Sequence, residues 1–292
     1  MDTRTGFQAR LAAAGYIAEP ALASVLELLQ ALGRPLLVEG DAGVGKTEIA
    51  KALARVFDTQ LIRLQCYEGL DASSAVYEWD YQRQLLAIKI REHEDLPAEQ
   101  TERHIFSETY LLKRPLLKAI TEPEPCVLLI DEVDRADDEF EAYLLEVLSD
   151  FQISIPELGT IEALSKPFVV LTSNGTRDIS DALRRRCLYY YLEYPDFDKE
   201  LRIVKAHLPD MGNRLARQVV SFVQSLREFD LRKTPGIAET LDWATAILQL
   251  DVTDLNDDPE AIRQSLVCVL KTREDCAAIS DLDVDRLIAS SA

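Results

Sequence analysis

The run Gly40-Asp41-Ala42-Gly43-Val44-Gly45-Lys46-Thr47 sets glycines, a lysine and a hydroxyl in the spacing G-x-x-x-x-G-K-[ST]. Each residue type has a use in holding phosphate. The glycines let backbone N–H groups turn inward and cradle phosphate oxygens with no Cβ in the way. Lys46 supplies a point charge for β- and γ-phosphates, and the Thr47 hydroxyl can ligate Mg2+. A helix opening at Thr47 aims its positive end at the same anion. The plainer reading is a Gly-rich turn that happens to hold a lysine. A strand pattern before the motif and a helical pattern after it argue against that reading.

A second constellation lies further along. Cys126-Val127-Leu128-Leu129-Ile130-Asp131-Glu132 is an apolar strand pattern that ends in two adjacent acids. Such acids are costly to bury unless they work at the strand's carboxyl end, which in phosphate-loop proteins faces the nucleotide. Asp131 then suits the Mg2+ shell, and Glu132 suits orienting and polarising an attacking water. Alone the pattern is common; beside the phosphate loop it becomes specific. Leu171-Thr172-Ser173-Asn174 closes the next apolar run, and the Asn174 amide can hold the water or the γ-phosphate. Its plainer reading, with Gly175, is a strand-end turn pair. Arg184, Arg185 and Arg186 follow on a short helical pattern. Such a run is usually a solvated basic cluster, yet three arginines in an acidic chain invite an anionic partner.

The elements that must position these residues alternate strand and helix, the pattern of an α/β fold with a parallel sheet. Five apolar runs read as strands: Pro35–Glu39, Leu61–Cys66, Cys126–Ile130, Phe168–Thr172 and Cys187–Leu192. Helical patterns fall at Val25–Leu32, Thr47–Phe57, Leu111–Ile120 and Asp137–Leu148, the last with an apolar stripe of Phe140, Tyr143, Leu144, Val147 and Leu148 behind an Asp137 cap. The stretch from about residue 70 to 120 exceeds a plain crossover, and its charged middle, Lys89–Glu108, reads as an inserted helix–loop element. Residues 152–163 read as a hairpin off the main sheet, from the Ile153/Ile155 alternation and a turn at Gly159. Strand signals stop after Tyr194-Pro195, which predicts a core over 1–194 and a small helical domain over 195–292.

Composition narrows the function. Against 51 Asp and Glu stand 32 Lys and Arg, a formal charge of −19 that disfavours sequence-tolerant nucleic-acid binding and anionic membrane surfaces. Cys66, Cys126, Cys187, Cys268 and Cys276 form no CxxC pair, and the first three fall in or beside apolar runs. His93, His104 and His207 are scattered without ligand spacing, so a zinc site is not expected. The first residues lack a signal-peptide pattern, and no long apolar stretch suits a membrane span. The expected compartment is the reducing cytoplasm.

Taken together, the phosphate loop (Walker A), the Asp-Glu strand end (Walker B), a strand-end Asn, an Arg cluster and a helical tail resemble an AAA+ ATPase along the whole chain. The insert before Walker B and the hairpin before Leu171-Thr172-Ser173-Asn174 look like the MoxR branch. The stretches YEWDYQRQLL, LLIDEVDRADDEFEAYLLEVLSDFQISIPELGT, LTSNGTRDISDALRRRCLYYYLEYPD and IAETLDWA are similar to CoxD-type members. Those are linked to maturation of molybdenum-containing carbon monoxide dehydrogenase and its relatives. The resemblance implies ATP and Mg2+ as cofactors, a homo-oligomeric ring, usually a hexamer, and nucleotide held between subunits. It also implies a partner with a von Willebrand A domain and a client metalloenzyme. Carried over by residue, Lys46 and Thr47 take the Walker A roles and Asp131 and Glu132 those of Walker B. Asn174 is then sensor 1, Arg186 the arginine finger with Arg185 second, and Tyr16-Ile17 the segment against adenine. One departure concerns sensor 2: Lys233-Thr234-Pro235-Gly236-Ile237-Ala238-Glu239 carries no Arg at the expected place, so that role stays unassigned.

The leading function is ATP-driven remodelling of a partner metalloenzyme. Two rivals are an activase of another client, such as rubisco, and a peptide-threading unfoldase with Tyr67 on a pore loop; a core-edge position is the plainer reading of that tyrosine. A third, from a different class, is a scaffold that binds nucleotide without turnover. Glu132 argues against it, since a passive clamp has no use for water activation.

Overall fold

The structure, a computed structural model, describes residues 3–91 and 97–291. His93 and part of the charged insert lie outside the described residues. The chain runs α1 (Thr3–Ala13), α2 (Pro20–Leu32), β1 (Leu36–Glu39), α3 (Lys46–Phe57), β2 (Leu61–Gln65), α4 (Ala72–Ala75), β3 (Tyr77–Trp79), α5 (Tyr81–Arg91) and α6 (Ala98–Ile105). It continues through β4 (Leu111–Lys113), α7 (Pro115–Ile120), β5 (Val127–Asp131), α8 (Asp138–Asp150), β6 (Gln152–Ile155), β7 (Gly159–Glu162), β8 (Phe168–Ser173), α9 (Asp181–Arg186) and β9 (Leu188–Tyr191). Helices complete it: α10 (Phe197–His207), α11 (Asn213–Arg227), α12 (Ile237–Gln249), α13 (Pro259–Ser265), α14 (Arg273–Ala278) and α15 (Asp281–Ser290).

Packing divides these elements into two units, one of Pro20–Glu39 with Ala50–Tyr191, the other of residues 3–19, Gly40–Ile49 and 192–291. The first holds the five-stranded sheet, in the order β2-β5-β8-β1-β9, and every pair in it is parallel. Parallel strands need both faces covered, and β5 is accordingly buried throughout, from Val127 to Asp131. The registers Gln65↔Asp131, Glu39↔Ser173 and Glu39↔Tyr191 bring strand ends to one edge. All five sequence-predicted strands are present, within a residue or so at either end. Helix α8 starts as expected, with the Asp137 carboxylate accepting from Phe140 N at 2.8 Å, a cap of about 1 kcal/mol.

Three local expectations change. Helix α2 begins at Pro20 rather than Val25, because a proline at the first position is pre-set for a helix. The pattern Leu111–Ile120 is not one helix: Leu111–Lys113 pairs antiparallel with Tyr77–Trp79, and the helix starts only at Pro115. Pro115 holds Arg114 extended at φ −82° and ψ 173°, which excludes a helix across that junction. The insert is thus a two-stranded ribbon, β3–β4, enclosing α5 and α6. On α5 the solvent takes Tyr81, Leu85, Leu86 and Ile90, all exposed. Strands β6 and β7 form the expected separate hairpin, with Ile153 and Ile155 buried and Gly159 at φ +82°.

The second unit is built on an apolar core from α10 to α15, centred on Val219, Phe222, Val223, Trp243 and Ile247. The Glu200 carboxylate is wholly buried and accepts from Arg227 at 2.6 and 2.7 Å, from Thr240 Oγ1 at 2.8 Å and from Gln224 at 3.1 Å. Its desolvation is tolerable because every lone pair is answered. Among the described residues no helix is long and apolar enough to cross a membrane.

Candidate functional site

The phosphate loop belongs to the helical unit. Strand β1 ends at Glu39, and the loop runs from Gly40 into α3, whose first two residues are Lys46 and Thr47. A Cβ on Gly40 would lie 2.2 Å from Leu192 O, so only glycine fits. Gly43 sits at φ +82° against Gly236, and its carbonyl accepts from Ile237 N at 3.0 Å. The head of α12 therefore meets the loop main chain to main chain. Tyr194 adds a second tie, its hydroxyl donating to Ala42 O at 2.9 Å while the Arg227 guanidinium lies 4.9 Å over its ring. Burial pushes the Tyr194 phenol up, so it remains a donor at neutral pH. Lys46 is buried, and its ammonium donates to the carbonyls of Gly40 at 2.6 Å and Asp41 at 2.7 Å. Asp41 and Ala42 are exposed, Val44 is buried and Gly45 half-buried at φ +93°. Tyr16 and Ile17 are half-buried just beyond α1, in this same unit.

The acids belong to the sheet unit. Asp131, the last residue of β5, is 4% exposed. Thr172 on the neighbouring β8 donates through Oγ1 to Asp131 Oδ1 at 2.5 Å and accepts from Glu132 N at 2.9 Å. One hydroxyl thus fixes both acids. Arg63 on β2 donates from Nε and Nη2 to Asp131 Oδ2, at 3.1 and 2.5 Å. Glu132 adopts φ 54° and ψ 50°, the left-handed region that costs a side chain of this kind, and such strain gathers at functional sites. Its carboxylate is partly exposed, 3.2 Å from Arg135 Nε.

Asn174 follows β8, held by its main chain: its N–H donates to Asp134 Oδ2 at 3.2 Å, and Thr176 N and Oγ1 donate to the same oxygen at 2.9 and 2.6 Å. Burial opposes charge on Asp134, but the donors of Thr176 and Asn174 outweigh it and hold its carboxyl below the ordinary value. The three arginines part ways. Arg184 pairs with Glu39 at 3.1 Å, whereas Arg185 and Arg186 are exposed. Arg186 Nε donates to Ser149 Oγ at 2.6 Å, and Arg34 grips the main-chain carbonyls of Arg185 and Arg186.

The structure thus gathers Gly40 to Thr47 with Gly236, and separately Asp131, Glu132 and Asn174 with Thr172 and Asp134. Arg63, Asp134, Glu39 and Gly236 were not singled out by sequence. Arg63 alternates with buried Ile62 and Leu64 on an outer strand and reads as a solvent-facing residue. Asp134 is one acid among several in Asp131–Asp138. At the sensor 2 position no arginine appears; Arg232 pairs instead with Glu274 at 3.2 Å. Tyr67 is exposed, and Cys66, Cys126 and Cys187 are buried, with burial pushing their thiols up to about 12, 11 and 12.

Residues 35–187, just over half the chain, match the AAA domain of the dynein-related subfamily. The chain belongs to that family. Membership implies a nucleotide site, typically with Mg2+. An uncharacterized protein of Staphylococcus aureus (strain USA300) is 27% identical over 256 residues, 85% of this chain and 89% of its own length. A counterpart in S. aureus strain bovine RF122 / ET3-1 shows the same identity and extent. Among solved structures, a RuvB mutant of Thermotoga maritima covers 96% of this chain and 72% of its own, at 17% identity and TM-score 0.49. The RuvB Holliday junction branch migration motor of the same organism covers 90% of this chain and 69% of its own, at 18% identity and TM-score 0.46.

Proposed function

We propose that this AAA protein hydrolyses ATP with Mg2+ and uses the cycle to remodel a partner protein. The observation that carries the reading is Thr172 joining Asp131 and Glu132 through one hydroxyl, in a chain with a complete phosphate loop. A nucleotide clamp needs the first acid; the second, held at a left-handed backbone, serves water attack. Lys46 and the loop N–H groups bind β- and γ-phosphates, and Thr47 and Asp131 hold hydrated Mg2+. The donor set suits that ion: hard oxygens, one a carboxylate with a fixed orientation. Glu132 positions the water, Asn174 steadies it or the γ-phosphate, and Tyr16-Ile17 borders adenine.

The wider reading is of a MoxR-type ring, a hexamer, in which Arg186, with Arg185 second, completes a neighbour's site. Its partners are a von Willebrand A domain protein and a molybdenum enzyme of the carbon monoxide dehydrogenase kind, matured in the cytoplasm. Residues 1–194 act as the core and 195–292 as the lid. The insert and hairpin face the partner, which gives the exposed apolar side chains of α5 a purpose. The −19 charge speaks against nucleic acid as the client.

Steady-state phosphate release with Mg2+ and ATP tests the core of this. Wild type should turn over. Lys46→Ala should lose binding, and Glu132→Gln should bind yet lose turnover by a factor on the order of a hundred. A wild type that binds ATP without releasing phosphate would mark a scaffold instead.

A further inference from the structure

We propose that Arg63 is a resident cation at Asp131, which the incoming Mg2+ must displace; the proposal rests on the Mg2+ role given to Asp131 above. Strand β2 lies beside β5 with Leu129 opposite Arg63 and Asp131 opposite Gln65, so Arg63, Gln65 and Asp131 share one face of the sheet. The guanidinium reaches along that face and places both Nε and Nη2 on a single oxygen, Oδ2. Both donors reach that oxygen from the side of β2, so the guanidinium charge lies directly against Oδ2. Thr172 occupies Oδ1 from the opposite side. Mg2+ keeps several of its waters when bound. Whether it meets Oδ2 directly or through such a water, it arrives beside the guanidinium charge, and two cations at one oxygen repel.

The exposures decide between a fixed structural pair and an exchangeable one. The Asp131 side chain is 6% exposed and must have a counter-charge; that of Arg63 is 53% exposed and loses little by leaving. Arg63 also has a second hold, since Nη2 lies 2.5 Å from Gln65 Oε1. The guanidinium can swing toward Gln65 and solvent as the metal arrives, and return when it leaves. Arg63 is thus a positioning residue that answers Asp131 between turnovers and sets the Mg2+ concentration at which the site fills.

Two titrations test this on the intact chain. Mn2+ is titrated into nucleotide-free protein with free ion read by electron paramagnetic resonance. In parallel, Mg2+ is titrated from excess EDTA while binding of a fluorescent ATP analogue is followed. Arg63→Gln should lower both midpoints about two- to fivefold, the range an exposed pair supports, with no change in analogue affinity in EDTA. Arg63→Lys should fall between, because an ammonium cannot fork onto one oxygen. In an Asp131→Asn background, Arg63→Gln should no longer shift either midpoint. An unchanged or raised midpoint in Arg63→Gln alone overturns the proposal, as does the lack of any Asp131-dependent midpoint in both titrations. If Arg63→Gln fails to fold, as judged by circular dichroism, Arg63→Lys decides alone on the same criterion. Should no version bind the analogue, the ATPase reading fails, and the Mn2+ titration still decides the fate of Arg63.

Discussion

Gly43 of the phosphate loop and Gly236 at the head of α12 meet backbone to backbone. A Cβ on Gly43 would lie 2.8 Å from Gly236 Cα, and one on Gly236 would lie 2.6 Å from both Gly43 Cα and its carbonyl oxygen. Gly236 has φ −86° and ψ −173°, open to any residue, so the demand for glycine there comes from contact alone. The loop's shape is therefore set partly by a residue almost two hundred positions later.

Gly236→Ala should separate loop from helix. Overpacking of this kind costs about 1–3 kcal/mol, and here it falls on the carbonyl of the phosphate loop itself. Nucleotide affinity should drop at least about tenfold, with far-ultraviolet circular dichroism unchanged. Gly212→Ala, where nothing lies within 4 Å of the added carbon, is the control and should behave as wild type. Equal effects from the two would mean that the contact has no bearing on the loop.

Thr172→Val keeps shape and removes the hydroxyl that joins Asp131 to Glu132. The buried Asp131 oxygen loses a donor and the Glu132 N–H loses its acceptor, a penalty of about 1–3 kcal/mol for each group left unpaired. The acids should lose their orientation, so kcat should fall by about tenfold or more while KM for ATP changes little. Thr172→Ser should restore most of the rate. A variant that keeps full kcat with a lowered Tm would reduce Thr172 to a packing role.

Why the acids were legible and Thr172 was not follows from their settings. Acids that end an apolar run advertise their cost, so Asp131 and Glu132 stand out in any reading of β5. Thr172 is an ordinary strand residue until its neighbour across the ladder is known, and β-branched residues are common in strands. The three inner strands, β1, β5 and β8, were legible because burial on two faces writes itself as unbroken apolar runs, and the outer two, β2 and β9, because their more and less buried residues alternate. Strands β3 and β4 were not, being three residues each and half polar. Gly236 was missed for another reason: its partner Gly43 is remote in sequence, and no local pattern carries that pairing.

Arg227→Ala should be among the most destabilising single changes in the helical unit. It strips two charge-assisted bonds from Glu200, which has no exposure to water. Leaving one buried charge without its partner costs roughly 3–5 kcal/mol. Chemical denaturation should show a loss of that order, and Glu200→Gln with Arg227→Met should recover part of it by removing both charges. If the single change costs under about 1 kcal/mol, Glu200 has found water or another cation.

Arg186 offers a test of the proposed ring. Its Nε rests on Ser149 and its Nη1 on Ala182 O, at 2.6 and 3.2 Å, and the side chain is otherwise exposed. Both partners are neutral oxygens at the exposed surface, and a guanidinium gains more from a phosphate, so the group can leave for a neighbour's γ-phosphate. Arg186→Ala should bind ATP and hydrolyse little, while Lys46→Ala should do neither. Mixed one to one, the two dead proteins form some interfaces in which an intact phosphate loop meets an intact Arg186. With head-to-tail contacts and random exchange, roughly a quarter of interfaces are of that kind. Phosphate release should therefore reappear on mixing, at or below about a quarter of the wild-type rate per interface. Ser149→Ala, which frees Arg186 from its resting contact, should not lower the rate. If subunit exchange is verified by fluorescence and the mixture stays dead, Arg186 works on its own subunit or serves structure, and Arg185 becomes the residue to mutate next.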